Sequence, residues 1–208
     1  MKFLKGFFTA AVLFLSVAVN AQNWEIDLVR YINHNESSFK NDFTSITSKS
    51  VTIVNIAAPL TLLTVGLAKH NKELQKDALY MVGGYALSAI ITHGAKVIVQ
   101  RERPFITYPD IIKRTEGGGY SFPSGHTSAA FYAATSVSIL FPQWYVIAPS
   151  LLWASAVGYS RMYQGVHYPT DVLAGAAVGA GSAWVTSKFQ HWIDKKNGVK
   201  KAAAPAAW

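Results

Sequence analysis

Five apolar segments, residues 51–68, 78–99, 127–141, 144–159 and 172–187, constrain the fold of this chain more than any other feature. Each holds about 15 to 22 residues, so as a helix rising ~1.5 Å per residue it reaches about 23 to 33 Å, near the ~30 Å hydrocarbon thickness of a bilayer. None shows the polar–apolar alternation of a half-buried strand. The expected fold is therefore all-α: a helical bundle of about five membrane-spanning or core helices. Half of the residues are hydrophobic and 14% are charged, well below the usual globular level of about 25%. A soluble bundle with an Ala-rich buried helix is the competing class, because the mean hydropathy is only +0.19. Gly175 and Gly179, four apart in the last segment, supply the small-residue spacing that lets two helices approach closely.

The N-terminus has the order of a secretory signal: Lys2 and Lys5, then an apolar stretch from Phe7 to Val19, then Ala21 ahead of Gln22. Residues 1–21 are read as a signal peptide, with an uncleaved membrane anchor as the alternative. Residues 22–208 are read as one domain with a short basic C-terminal tail. Between the signal and the first apolar segment, Trp24, Ile26, Leu28, Val29, Tyr31 and Ile32 are spaced as in one or two short amphipathic helices that can lie on a bilayer surface.

The formal charge is +8. The lysines and arginines are dispersed, with no basic stripe interleaved with exposed aromatics, so an anionic substrate or a membrane surface fits better than nucleic acid. There is no cysteine, which excludes a disulfide framework, a thiolate metal site and a thiol nucleophile. Lys69, Lys72 and Lys76 lie between the first two apolar segments, and Lys188, Lys195, Lys196, Lys200 and Lys201 follow the last. Five spans put both basic groups on the cytoplasmic side. They leave the N-terminal start, residues 100–126 and residues 160–171 outside.

Three polar stretches stand at those outer ends. Lys96 and Arg103 are seven apart, about two helical turns, and Pro104 stops the helix. Ser124-Gly125-His126 opens directly onto an apolar run, so a helix N-terminus, whose first amides can bind phosphate oxygens, is carried to the bilayer surface beside an imidazole. An ordinary serine cap beside a bystander histidine is the plain alternative. Arg161, His167 and Asp171 follow, with Pro169 suited to the first turn of the last helix. Asp171, about one turn beyond His167, is near enough to accept one imidazole N–H and leave the other nitrogen free to attack. Arg161 offers a planar fork for phosphate oxygens. Arg101 and Glu102 are read as solvated contacts, with Arg101→Ala nearly silent. His93, three before Lys96, faces the same side but is read as structural. Gly117, Gly118 and Gly119, with Lys113 and Arg114 before them, suit a movable basic flap or a loose loop.

Lys96-x6-Arg103-Pro104, Pro123-Ser124-Gly125-His126 and Ser160-Arg161-x5-His167-x3-Asp171, taken in that order, resemble the three-part signature of the type 2 phosphatidic acid phosphatase superfamily. That superfamily includes membrane lipid phosphatases, soluble bacterial acid phosphatases and vanadium haloperoxidases. The resemblance covers roughly residues 50–187. It implies that His167 attacks phosphorus to form a phosphohistidine, that Asp171 orients it, and that His126 protonates the leaving oxygen. Lys96, Arg103, Ser124, Gly125 and Arg161 would bind the phosphate oxygens. No metal or other cofactor is implied, and activity is expected to survive a chelator.

The expected partner is a phosphorylated lipid or isoprenoid, monophosphate or pyrophosphate. The expected location is the inner membrane of a bacterial-type envelope, with the site facing the periplasm. A soluble or peripheral periplasmic acid phosphatase is the nearest alternative. A vanadium haloperoxidase shares the site but is usually much longer. A non-catalytic phospholipid binder or transporter needs only cations, not an acid, a nucleophile and its support.

Overall fold

The computed structural model describes residues 24–197, in which no strand occurs. The proposed signal peptide lies outside the described residues. Residues 24–34 are helical (α1), followed by α2 (Ser38–Ala68), α3 (Lys72–Val99), a single turn α4 (Pro104–Thr107), α5 (Gly125–Leu140), α6 (Trp144–Tyr163) and α7 (Pro169–Lys196). Residues 38–50 and the first apolar segment form one continuous helix, because Ser37 caps α2 through the Lys40 amide and no breaker follows before Pro59.

The α5 helix stands at the centre, touched by α2, α3, α6 and α7. Its small side chains Ala129, Ala130, Ala133 and Ala134 are buried. That allows close packing, tightest against α7, where a Cβ at Gly179 would run into the Ser128 carbonyl and one at Gly175 into the Ser124 carbonyl. Gly179→Ala should overpack this contact at about 1–3 kcal/mol, seen as a fall of about 3–10 °C in the thermal midpoint in detergent. Gly181→Ala, whose Cβ meets nothing within 4 Å, should leave the midpoint close to wild type.

The outer faces of α2 and α3 are apolar and not covered by protein. The two segments have mean hydropathies of 1.9 and 1.3 over 18 residues, with 17% of each window buried. Ile53, Ile56, Leu60, Ile90 and Ile98 are all exposed. Apolar helix faces left uncovered in this way suit lipid. By length and composition alone, among the described residues these two helices meet the requirements of a span. The shorter α5, of 16 residues, is mostly wrapped by its neighbours.

One face of helix α1 packs on protein, while Trp24, Leu28 and Tyr31 stay exposed on the other. Ile26 and Val29 pack with Ile111, Tyr168, Phe105 and Tyr108. Asn33 is buried and clasps the loop after α4: its Nδ2 donates to the carbonyls of Ile112 and Tyr163, both at 2.8 Å, and its Oδ1 accepts from the Ile112 amide at 2.9 Å. Arg30 pairs with Asp110 at 2.8 Å. The loop read as a movable flap or a loose loop is thus anchored at residues 110, 112 and 114, where the Arg114 amide also donates to the Gln164 carbonyl.

Candidate active site

The ends of α3, α5 and α6 and the loop before α7 meet at one end of the bundle. Helix α3 brings Lys96 within its last turn and stops at Gln100, in the left-handed conformation at φ 51°. The extended backbone that follows delivers Arg103, and Pro104 starts α4. Ser124 caps α5, placing Gly125 and His126 in its first turn. Arg161 lies in the last turn of α6, and His167 in the link to α7. Lys96, Arg103, Gly125, His126, Arg161 and His167 all line one cavity of about 560 Å³.

His167 is buried and held on both nitrogens. Its Nδ1 lies 3.4 Å from Asp171 Oδ2 and 3.4 Å from Ser121 Oγ, while Arg103 Nη1 lies 3.3 Å from Nε2. A neutral ring with its proton on Nδ1 satisfies both sides, leaving the Nε2 lone pair toward the cavity cations. Burial pushes the His167 imidazole down to about 3 despite the opposing carboxylate of Asp171. The ring is therefore neutral at physiological pH. For Asp171 burial favours the protonated acid, but the hydrogen bond from His167, with the charge of Arg101 and the hydroxyl of Ser121, holds the carboxyl below its usual range. Asp171 Oδ2 also accepts from the Tyr168 amide at 2.9 Å and from the Ser121 hydroxyl.

His126 sits above the apolar run of α5. Burial, reinforced by the charges of Arg161, Arg103 and Lys96, depresses it to about 4. Lys96 Nζ donates to the Tyr120 carbonyl at 2.7 Å, and Arg103 donates to the carbonyls of Gly118, Gly119 and Val166 at 2.9, 3.1 and 3.0 Å. Arg161 Nη1 donates to Gln164 Oε1 at 2.7 Å and to Ser48 Oγ at 3.2 Å, while its Nε is buried without a partner. Cations and imidazoles favour an anion over a divalent metal here, since the cavity wall carries one carboxylate, Glu116.

Two of the eight sequence-derived site residues do not line the cavity. Asp171 stands behind His167. Ser124 is fully buried, its hydroxyl accepting from Thr127 Oγ1 at 2.8 Å and its amide donating to the Asp171 carbonyl at 2.9 Å. Its place is the helix cap and the α5–α7 junction.

Ser121, Gln164, Glu25 and Arg101 were not legible as site residues. Gln164 had a signal, its helical spacing of three from Arg161. Arg101 is the clearest correction. Far from solvated, it donates to Asp171 Oδ1 at 2.9 Å, Glu25 Oε2 at 2.7 Å and Thr170 Oγ1 at 2.7 Å. Its partners are about 70 residues away, beyond any local pattern. His93 lines the adjoining groove between α2, α3 and α5 rather than this cavity.

A helical bundle bearing four cations, Lys49, Lys96, Arg103 and Arg161, and two imidazoles around one cavity suits a tetrahedral anion. Residues 77–195 match the PAP2 superfamily, and the chain belongs to that family. It is 27% identical over 179 residues to an undecaprenyl-diphosphatase of Sulfolobus acidocaldarius, covering 86% of this chain and 82% of that one. It is 36% identical over 90 residues to a lipid A 4'-phosphatase of Bacteroides thetaiotaomicron, covering 43% of this chain and 40% of that one. The crystal structure of Aquifex aeolicus LpxE is similar with a TM-score of 0.66 at 27% identity, over 79% of this chain and 95% of that one.

Proposed function

We propose that the protein hydrolyses the phosphate or pyrophosphate group of a membrane lipid through a phosphohistidine on His167. The observation that carries this reading is the convergence of Lys96, Arg103, His126, Arg161 and His167 on one cavity that borders a groove between α2, α3 and α5. The groove shares Lys96, Gly125, His126 and Thr52 with the cavity and continues along Val51, Tyr85, Ala89 and His93. A charged headgroup in the cavity and a hydrocarbon tail along the groove match this polar-to-apolar sequence. The relatives named as lipid A and undecaprenyl phosphatases support the same substrate class.

In the first step the Nε2 lone pair of His167 bonds to phosphorus as the P–O bond to the lipid breaks, and His126 gives its proton to the leaving oxygen. Asp171 accepts the Nδ1–H and supports the charge that develops on the ring. Lys96, Arg103, Arg161 and the first amides of α5 stabilise the equatorial oxygens, so the barrier falls through positioning and charge. Water then attacks phosphorus with His126 as base, breaking the N–P bond and restoring both imidazoles.

The proton on His126 has a definite source. Burial, and then three neighbouring cations, disfavour its charged form, so at neutral pH the free site holds it neutral and a monoanionic phosphate ester brings the proton in. The second ionisation of a phosphate monoester lies near pH ~6, and kcat/KM for such a substrate should decline above that value. Substrates with different second ionisations should shift the basic limb accordingly; a limb that ignores the substrate would mean that His126 titrates by itself.

The basic groups Lys69, Lys72, Lys76, Lys188, Lys195 and Lys196 gather at the end of the bundle away from the cavity, which favours a cavity facing the periplasm. The test is phosphate release by the purified chain from phosphatidic acid, an isoprenyl diphosphate and lipid A, with EDTA present. Release from at least one is expected. Binding of all three without release would leave a phospholipid binder, and strict loss with EDTA would rule out the proposed chemistry.

A further inference from the structure

Asp171 uses its two oxygens differently. Oδ2 faces inward to His167, Ser121 and the Tyr168 amide, and Oδ1 faces outward to Arg101. Arg101 is itself fixed from three sides. Glu25 on α1, whose side chain is only 4% exposed, takes its Nη2 at 2.7 Å; Thr170 takes its Nη1; and its guanidinium carbon lies 3.8 Å from the centre of the Tyr168 ring. The other oxygen of Glu25 accepts from the Thr170 amide at 3.0 Å, tying α1 to the first turn of α7.

We propose that Arg101, clamped by Glu25, is a positioning residue for Asp171, holding the outer carboxylate oxygen so that the inner one meets His167 Nδ1. The clamp rests on the reading of His167 as nucleophile. It accounts for a buried glutamate on a helix otherwise remote from the chemistry. It also explains why the arginine side chain is only 24% exposed, although its neighbour Glu102 is left at the surface. A carboxylate held at one oxygen only, even by three groups, keeps some freedom to turn about its Cβ–Cγ axis. The guanidinium fork removes that freedom.

The test uses the full chain purified in detergent, with dioctanoyl phosphatidic acid as substrate and inorganic phosphate as competitor. Arg101→Ala should lower kcat by about tenfold to a hundredfold, the range outer partners of positioned side chains command elsewhere. KM and phosphate inhibition should stay within about twofold, since no cavity cation is lost. Arg101→Lys should recover part of the rate, and Glu25→Gln should fall between it and wild type. Arg30→Ala, which removes an exposed pair with Asp110, should behave as wild type.

A wild-type kcat in Arg101→Ala would overturn the clamp. So would parallel losses of kcat, phosphate affinity and thermal midpoint, the mark of a fold-supporting role only. If wild type releases no phosphate from any lipid, the reading of His167 fails first, and the clamp is still read from nitrogen-15 NMR of the His167 ring. Arg101→Ala should then convert one tautomer into a mixture; an unchanged tautomer would overturn the clamp by itself.

Discussion

His167→Ala should leave less than about one ten-thousandth of the wild-type rate of phosphate release, the order lost when a covalent nucleophile is removed from a site that acts as a unit. The other cavity groups would still bind phosphate, so the loss should fall on kcat while inhibition by inorganic phosphate persists. Because burial depresses the ring to about 3, the nucleophile is neutral above roughly pH 4. Attack is lost only as pH falls through about 3. Assay at neutral pH therefore compares a fully competent wild type with a variant that has no attacking atom. Rapid acid-free quenching with labelled substrate should trap an alkali-stable phosphoprotein in wild type and none in the variant. A variant keeping a tenth of the rate would remove His167 from the chemistry.

Asp171→Asn should cost about a thousandfold to ten-thousandfold in kcat, with KM little changed. The shape is kept, but the carboxamide is neutral and can turn its NH2 toward the ring. It would then donate to Nδ1, shift the ring proton to Nε2, and so occupy the atom that must attack phosphorus. The same change withdraws charge from Arg101 Nη1 at 2.9 Å and from the buried ring at 3.4 Å. The check is single-turnover formation of the phosphoprotein, which separates slow attack from slow release. An Asn variant within tenfold of wild type would mean that the ring keeps its tautomer without the carboxylate, for instance through Ser121.

The predicted helices differ from the observed ones mainly at their ends. The third apolar segment, expected from residue 127, begins at Gly125, and the fourth runs past residue 159 to Tyr163. The reason is the same in both cases. A polar first or last turn is invisible to hydropathy, yet here it carries His126 and Arg161. The early amphipathic stretch was legible as helix but not as a buttress, because Glu25 and Asn33 act on partners in the loops and α7. Ser124 shows the opposite limit. Its motif position suggested a phosphate contact, while the fold spends its hydroxyl on Thr127 and its amide on the Asp171 carbonyl.

What the sequence alone determined were the all-α class, the apolar helices and the three motif stretches, since periodicity, length and residue chemistry are local properties of the chain. Which side chains face one another was decided only by the tertiary structure. Glycines on α7 let α5 approach closely, and α1 folds back over the loops, so Glu25, Arg101 and Asp171 become neighbours across a separation that no local pattern records. Burial of that ion-paired chain is a consequence of packing.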